Sequence, residues 1–321
     1  MSRFANILKT LSLPKHLYGY SVIGLNESSS KIVSKLNLNY QNPLIVDLYS
    51  GVNGFAFALH EHLKPRKHIL MEDHAKSNEY LSQVLEKLTP EERDKFVLSK
   101  LSSFNWSAYT QLEGEGIIDP DFVSRNQIHP SFLIHGNLCY PRGEALLMQF
   151  YTCLQDRNWL QKYGRVRMLF WTTDDTAAKV IPKLKKKRMG FIAEKFSTTK
   201  LIAMSDKSKT KDDDAVLFEH PEPLCLIQVE PKNVETRVAE FNIVSKKLCN
   251  FGNSPVRNAI STLGAGAPAY FGETVPERIL DNKVIDLTLE ELDVIVEAYW
   301  RWPFKPMEGV QYMDSSASFY D

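Results

Sequence analysis

Leu44–Tyr49 (LIVDLY) is apolar except for one acid near its end, and Ser50-Gly51-Val52-Asn53-Gly54 and a helical stretch, Phe55–Leu63, follow it. A buried strand, a glycine-containing turn and a helix bring main chain close to a nucleotide cofactor, because only glycine leaves the approach clear of a side chain. A second strand, Lys67–Glu72 (KHILME), ends on an acid, Glu72, that would reach ribose hydroxyls. Many α/β proteins share this much. Charge points to a different chemistry. The chain has 39 Lys and Arg against 39 Asp and Glu. Yet residues 157–211 hold 15 basic and 4 acidic side chains, and residues 286–321 hold 8 acidic and 2 basic. Such a dipole can focus a polyanion on one face while the molecule stays soluble; an unevenly charged solvated surface is the alternative. The densest basic run is Lys183, Lys185, Lys186, Lys187 and Arg188, after Pro182; Arg165 and Arg167, just before a strand, rank behind it as phosphate contacts.

The elements that must position these groups alternate between strand and helix. Phe132–His135, Val166–Trp171, Lys200–Met204 and Leu224–Val229 read as further strands, with helices at Ala75–Leu88, Thr89–Leu101 and Glu144–Tyr163. This order predicts a doubly wound α/β sheet. Lys207–Asp214 (KSKTKDDD) has no apolar residue and reads as a mobile loop. After Pro231 the strand signals stop. Helices are expected at Val238–Phe251, Pro255–Leu263 and Leu289–Trp302, the last capped by Thr288. The expected organisation is an α/β domain over 1–233, a helical domain over 234–306 and a flexible tail over 307–321. No run approaches the ~20 apolar residues of a membrane span. Four separated cysteines with no C-x-x-C pair argue against a disulfide scaffold or a zinc ribbon. The first acid is Glu27, and Phe4, Ile7, Leu8 and Leu11 keep a helical spacing. That start suits either a mitochondrial targeting segment or a helix docked on the domain.

Gly136-Asn137-Leu138-Cys139-Tyr140 resembles the N-L-P-Y motif of adenine methyltransferases, with Cys139 in place of Pro. Tyr18–Val33 (YGYSVIGLNESSSKIV) resembles the opening motif of the ribosomal RNA adenine dimethyltransferases, and Val284–Leu292 (VIDLTLEEL) a segment of their helical domain. The resemblance implies a Rossmann-like S-adenosylmethionine-dependent methyltransferase fold with a small C-terminal helical domain. It also implies a base pocket in which Asn137 accepts from the target amine and Tyr140 stacks on the flipped base. The cofactor positions depart from the pattern. The opening Gln and Asn are replaced around Ile23, and Tyr49 and Asn53 stand where glycines are usual, leaving Gly51. The acid expected at the adenine amino group falls at Leu101 or Ser102, while Glu72 is kept. The cofactor set Ile23, Gly51, Glu72, Ser102 and Asn137 therefore reads as vestigial, with no cofactor required and no catalysis expected.

This decay is similar to that of the fungal mitochondrial B-type transcription factors, a branch of the same family. Ile45–Phe55, Asn158–Trp171, Thr199–Ser205 and Ile285–Pro306 carry the match. The resemblance implies mitochondrial RNA polymerase as partner, promoter DNA with its melted non-template strand as ligand, and the mitochondrial matrix as location. An active ribosomal RNA adenine dimethyltransferase and a non-catalytic ribosomal RNA binder are the alternatives. Capturing a single strand needs aromatic platforms beside basic groups, since bases stack and phosphates need counter-charge. Phe104-Asn105-Trp106 lies in a polar stretch (SSFNWSAY) read as a loop, and the branch carries aromatics at that spacing beside the melted strand. Trp106 packing under the loop as a core anchor is the other reading. His129, His135 and Cys139 read as loop, strand-core and strand-end residues without metal-ligand spacing. The row Tyr299, Trp300, Trp302 and Phe304 reads mainly as helix core.

Overall fold

Seven apolar or alternating segments pair into one sheet. This computed structural model describes residues 3–12, 14, 27–181, 186–204 and 223–306. The strands are β1 (Leu44–Leu48), β2 (Lys67–Met71), β3 (Phe96–Ser99), β4 (Ile128–Asn137), β5 (Arg165–Thr173), β6 (Ser197–Met204) and β7 (Leu224–Pro231), in the order β3-β2-β1-β4-β5-β7-β6. β1 to β5 pair in parallel, and β7 runs antiparallel to both β5 and β6. Every residue of β1 is buried, as a strand covered on both faces must be.

In chain order the helices before β6 are α1 (Arg3–Lys9), α2 (Glu27–Lys35), α3 (Gly54–Leu63), α4 (Ala75–Glu86), α5 (Pro90–Arg93), α6 (Trp106–Gly114), α7 (Gly143–Asp156), α8 (Asp174–Val180) and α9 (Arg188–Phe196). After β7 come α10 (Val238–Cys249), α11 (Val256–Ala259), α12 (Ala267–Thr274), α13 (Glu277–Leu280) and α14 (Leu289–Arg301). The described residues up to 181, with 192–204 and 223–233, form one compact unit; residues 186–191 group with 234–306 in a second. In the first, Ile32, Val33, Phe55, Leu59, Leu133 and Trp171 share one apolar cluster, and Phe4, Phe57, Leu70, Tyr80, Val84 and Phe96 another. α1 is thus docked, with the Phe4 ring stacked 4.9 Å from Phe57. In the second, α10 packs on α14. Thr288 caps α14 as expected: its hydroxyl accepts from the Glu291 N–H, and the Glu291 carboxylate accepts from the Thr288 N–H.

Three expectations are corrected. Thr89–Leu101 is not one helix: the capping box on Thr89 and Glu92 supports a single turn, α5, and Phe96–Ser99 then pairs with β2. Pairing along a strand edge outweighed the local helical signal. The helix expected to run to Tyr163 stops at Asp156, where Arg157 turns left-handed at φ 51°. The stretch read as a loop around Trp106 opens α6. The segment Lys207–Asp214 and the tail from Met307 lie outside the described residues. Among the described residues no helix is long and apolar enough to cross a membrane.

A buried ionisable cluster crosses the middle of the sheet. Asp47 of β1 is fully buried. Its Oδ1 lies 3.0 Å from His135 Nδ1 on β4, and its Oδ2 lies 3.5 Å from His68 Nε2 on β2. Asp47 and His135 are register partners. His68 Nδ1 faces His60 Nδ1 of α3 at 3.2 Å. Burial alone would push the Asp47 carboxyl up, but the two imidazoles bring it below its usual 3.8. Burial also lowers His68, against the pull of Asp47, and drives His60 down to about 2.

Folding stability should therefore rise with pH through the histidine range. Below about pH 6.5 the unfolded chain takes up protons that folded His60 and His68 refuse, each costing up to about 1.4 kcal/mol per pH unit. Asp47, held below its usual value, adds a loss only as pH falls past about 4. Urea unfolding should show a midpoint that falls between about pH 6.5 and about pH 5, with the oppositely shifted Glu72 offsetting part of the fall. A flat midpoint over that range would mean that the histidines are charged in the fold.

Candidate functional site

The strand order reverses between β1 and β4, and in open α/β sheets ligands enter the crevice at the carboxyl ends of strands at such a switch point. The β1 turn, the end of β2, the segment after β3 and the end of β4 bring Tyr49, Gly51, Glu72, Ser102, Asn137 and Tyr140 to this edge. Gly51 has φ +45°, and a Cβ there would stand 3.3 Å from Glu72 Oε2, so the turn is held to glycine by conformation and by space. Glu72 is fully buried, and its Oε1 accepts from the His74 N–H at 2.8 Å. Burial raises its carboxyl to about 7, while the His74 N–H pulls the other way.

The other side chains at this edge are engaged internally. Asn53 accepts from the Phe55 N–H at 3.1 Å and caps α3. Asn137 Oδ1, the atom that would accept from a target amine, accepts from the Cys139 N–H at 3.2 Å. The Tyr49 ring lies 4.0 Å from the Tyr140 ring, and its hydroxyl is 3.3 Å from Ser102 Oγ. Ile23 lies outside the described residues.

A few residues on, Trp106 opens α6 with 46% of its surface exposed. One face of its indole stacks on Trp159 at 4.4 Å, and Trp159 stacks in turn on Phe150 at 4.7 Å. Trp106 is therefore the outermost ring of a column whose inner members are buried. It also lines a groove of about 300 Å³ along α7, with Ala145, Met148, Gln149, Thr152 and Asn158. Phe104 is half-buried, and the Arg142 guanidinium sits 5.5 Å over its ring. The sequence reading missed Arg142 and Trp159. Trp159 stands within a segment used only for family matching. Arg142 follows the N-L-C-Y run by two residues and belongs to no basic cluster.

The basic residues divide. Arg165 donates to the carbonyls of Pro231, Arg125 and Asn126, and Arg167 pairs with Glu230 at 2.7 Å. Both guanidiniums are engaged at the paired ends of β5 and β7. Lys187 is exposed. Lys186 and Arg188 are half-buried; the Lys186 ammonium lies 5.5 Å over Phe191, and Arg188 donates to Asn242 at 2.6 Å. Lys183 and Lys185 lie outside the described residues. His129, read as a loop residue, is buried at the start of β4, its Nε2 2.9 Å from the Asp121 carbonyl. Among the described residues no group of three or more His, Cys, Asp or Glu is placed to hold a metal ion. Tyr299 and Trp302 are buried, whereas Trp300 and Phe304 are exposed, Trp300 under the Arg237 guanidinium at 3.5 Å.

Glu72 supplies a test of this edge. Its folded value lies above the usual 4.5, so the fold keeps a proton that the unfolded chain gives up as pH rises between those values. Stability is lost over that interval, against the trend from the histidines. Glu72→Gln mimics the protonated form. It should raise the melting temperature at about pH 8 by the equivalent of roughly 1–3 kcal/mol, and the gain should vanish near pH 4.5. A gain that does not change with pH would mean the carboxyl is not desolvated.

The chain was compared with known proteins. It is 28% identical to a protein named Mitochondrial transcription factor 1 from Lachancea kluyveri, over 98% of each chain. It is 27% identical to the protein of the same name from Saccharomyces cerevisiae, over 96% of each. Among solved structures it resembles the 23S rRNA methyltransferase ErmE, with a TM-score of 0.57 at 8% identity over 86% of this chain and 98% of that one. A dimethyladenosine transferase from Plasmodium falciparum aligns with a TM-score of 0.53, also at 8% identity, over 84% and 94%. These two likenesses concern the fold. The family model described as ribosomal RNA adenine dimethylase matches residues 15–296. Because that match spans most of the chain, the chain belongs to the ribosomal RNA adenine dimethylase family.

Proposed function

We propose that this protein is a mitochondrial transcription initiation factor built on a methyltransferase fold. It acts in the matrix with mitochondrial RNA polymerase, helps it recognise and melt a promoter, and holds the displaced non-template strand. It neither catalyses methyl transfer nor requires S-adenosylmethionine. The near full-length similarity to the two yeast proteins named above supports the broad role. The observation that carries the mechanism is the exposed Trp106 ring at the end of a buried aromatic column.

A rigid ring that is stacked on one side is a preorganised platform. Its indole has already lost its freedom in the fold, so a base that stacks on it loses little more. Base–aromatic stacking is worth roughly 1–3 kcal/mol per base, and each promoter step opened costs about 1.4 kcal/mol in lost stacking. Trp106 and Phe104 can therefore tip a nearly balanced opening equilibrium, with Arg142 beside Phe104 as counter-charge for the backbone. A contact to phosphate alone would favour closed and open DNA alike.

The crevice supports the non-catalytic part of this reading. S-adenosylmethionine needs bare main chain along the turn and an acid at its adenine. Here Tyr49 fills the turn, Asn53 is used as a helix cap, and Ser102 stands in the region of the acid. The side chains present fit the cofactor poorly. Glu72, Asn137 and Tyr140 favour the alternative of an active ribosomal RNA methyltransferase. Methylation of an RNA hairpin by the purified protein would establish that alternative.

Replacing both Phe104 and Trp106 with Ala should weaken capture of an open strand by about one to two decades for each ring lost and depress transcription from a closed duplex. A premelted template should restore most of the yield, because the opening cost has been removed. 2-Aminopurine fluorescence in the start-site bubble reads opening directly, and the melting temperature of the variant checks its fold. Normal opening by a stably folded double variant would sink the stacking assignment.

Salt dependence tests the basic run. Substituting Lys186 and Lys187 with Ala should lower the slope of log K against log salt by about 0.7–0.9 for each phosphate no longer neutralised, equally for all sequences. An unchanged slope would show that these ammonium groups are only solvated.

A further inference from the structure

We propose that Tyr49 is an internal occupant of the nucleoside-cofactor crevice, and that its side chain closes the site independently of the acid missing near Ser102. The inference rests on the non-catalytic reading above and names one residue responsible for it. Tyr49 follows the last residue of β1, and Tyr140 follows the end of β4 by three, so the two rings come from opposite sides of the switch point. With centroids 4.0 Å apart they span the crevice where ligands of open α/β sheets bind.

The backbone of Tyr49 has φ +48°, in the left-handed region that favours glycine. A bulky residue held there is strained, and such strain persists only where the surroundings over-determine it. The surroundings do so here. Tyr49 is buried, its ring packs on Tyr140, its hydroxyl meets Ser102 Oγ, and its N–H donates to Ser103 Oγ at 3.3 Å. The turn thus keeps a conformation suited to glycine and a bare approach, and a phenol ring takes up the space such an approach would leave. Gly51 and the buried Glu72, the two cofactor positions that keep the family residue type, lie beside it in the same turn region. Two of these contacts are made to the segment that leads into Phe104 and Trp106. Tyr49 therefore braces that segment from within, as a bound ligand would from the crevice.

The test is binding, measured by calorimetry with S-adenosylhomocysteine, on the full chain. Tyr49→Gly relieves the left-handed strain and is expected to fold; its melting curve checks this. It should bind the probe at least about ten-fold more tightly than the wild type, while Tyr49→Phe, which keeps the ring, should bind no better than the wild type. Ser102→Asp, alone and combined with Tyr49→Gly, separates closure of the crevice from loss of the acid. The double variant should bind at least about ten-fold more tightly than Ser102→Asp alone. A folded double variant no tighter than Ser102→Asp, or a wild type that already binds as tightly as Tyr49→Gly, would overturn the proposal. Neither result depends on transcription, so this inference can fail while the initiation-factor reading stands, and the reverse.

Discussion

Asp47 is a carboxylate with no access to water in β1, the central one of the five parallel strands of the mixed sheet. An ion in that position is tolerated only if its neighbours compensate for lost hydration. His135 on one flanking strand and His68 on the other do so, and His60 of α3 extends the row. Three strands and one helix are thereby brought together around one buried carboxylate. A slip of one residue in β1 would turn the carboxylate away from both imidazoles. Two residues beyond Asp47 the chain reaches Tyr49, so the same constraint that sets the register also sets where the crevice residues lie.

From that fixed edge the site divides into two chemistries. The crevice retains a family outline in Gly51, Glu72 and Asn137, but its polar groups are turned inward: to a helix cap, to the chain's own N–H groups, and to the paired tyrosines. Exposed aromatic surface lies instead in the segment after β3. There Trp106 extends a column of buried rings to the surface, and Arg142 approaches from the end of β4. Tyr49 touches both regions through Ser102 and Ser103.

The basic residues show how charge on paper differs from charge available to a ligand. Arg165 and Arg167 contribute to the excess between 157 and 211, but the ends of β5 and β7 use them to hold carbonyls and Glu230. Arg142 belongs to no basic run, yet it is the cation beside an aromatic platform. Surface ammonium groups such as that of Lys187 cost little to expose and carry the long-range field.

The sequence by itself determined the alternation of strands and helices, hence the doubly wound sheet. Continuous apolar runs such as LIVDLY and VRMLFW can be buried on both faces only in a parallel or mixed sheet. It also determined the capped final helix, through Thr288 and Glu291, and the altered glycine turn, because each depends on neighbours in the chain. What tertiary structure decided depends on partners far apart in sequence. Phe96–Ser99 became a strand because the β2 edge was open to it, against a local signal for helix. Asp47, His68 and His135 became one cluster through register. Trp106 became the exposed end of an aromatic column because Trp159, fifty-three positions away, stacks on it while nearly half of its surface stays open. Periodicity and spacing describe a residue's neighbours along the chain, whereas burial, stacking and the cost of a desolvated charge depend on which distant atoms fill the space around it.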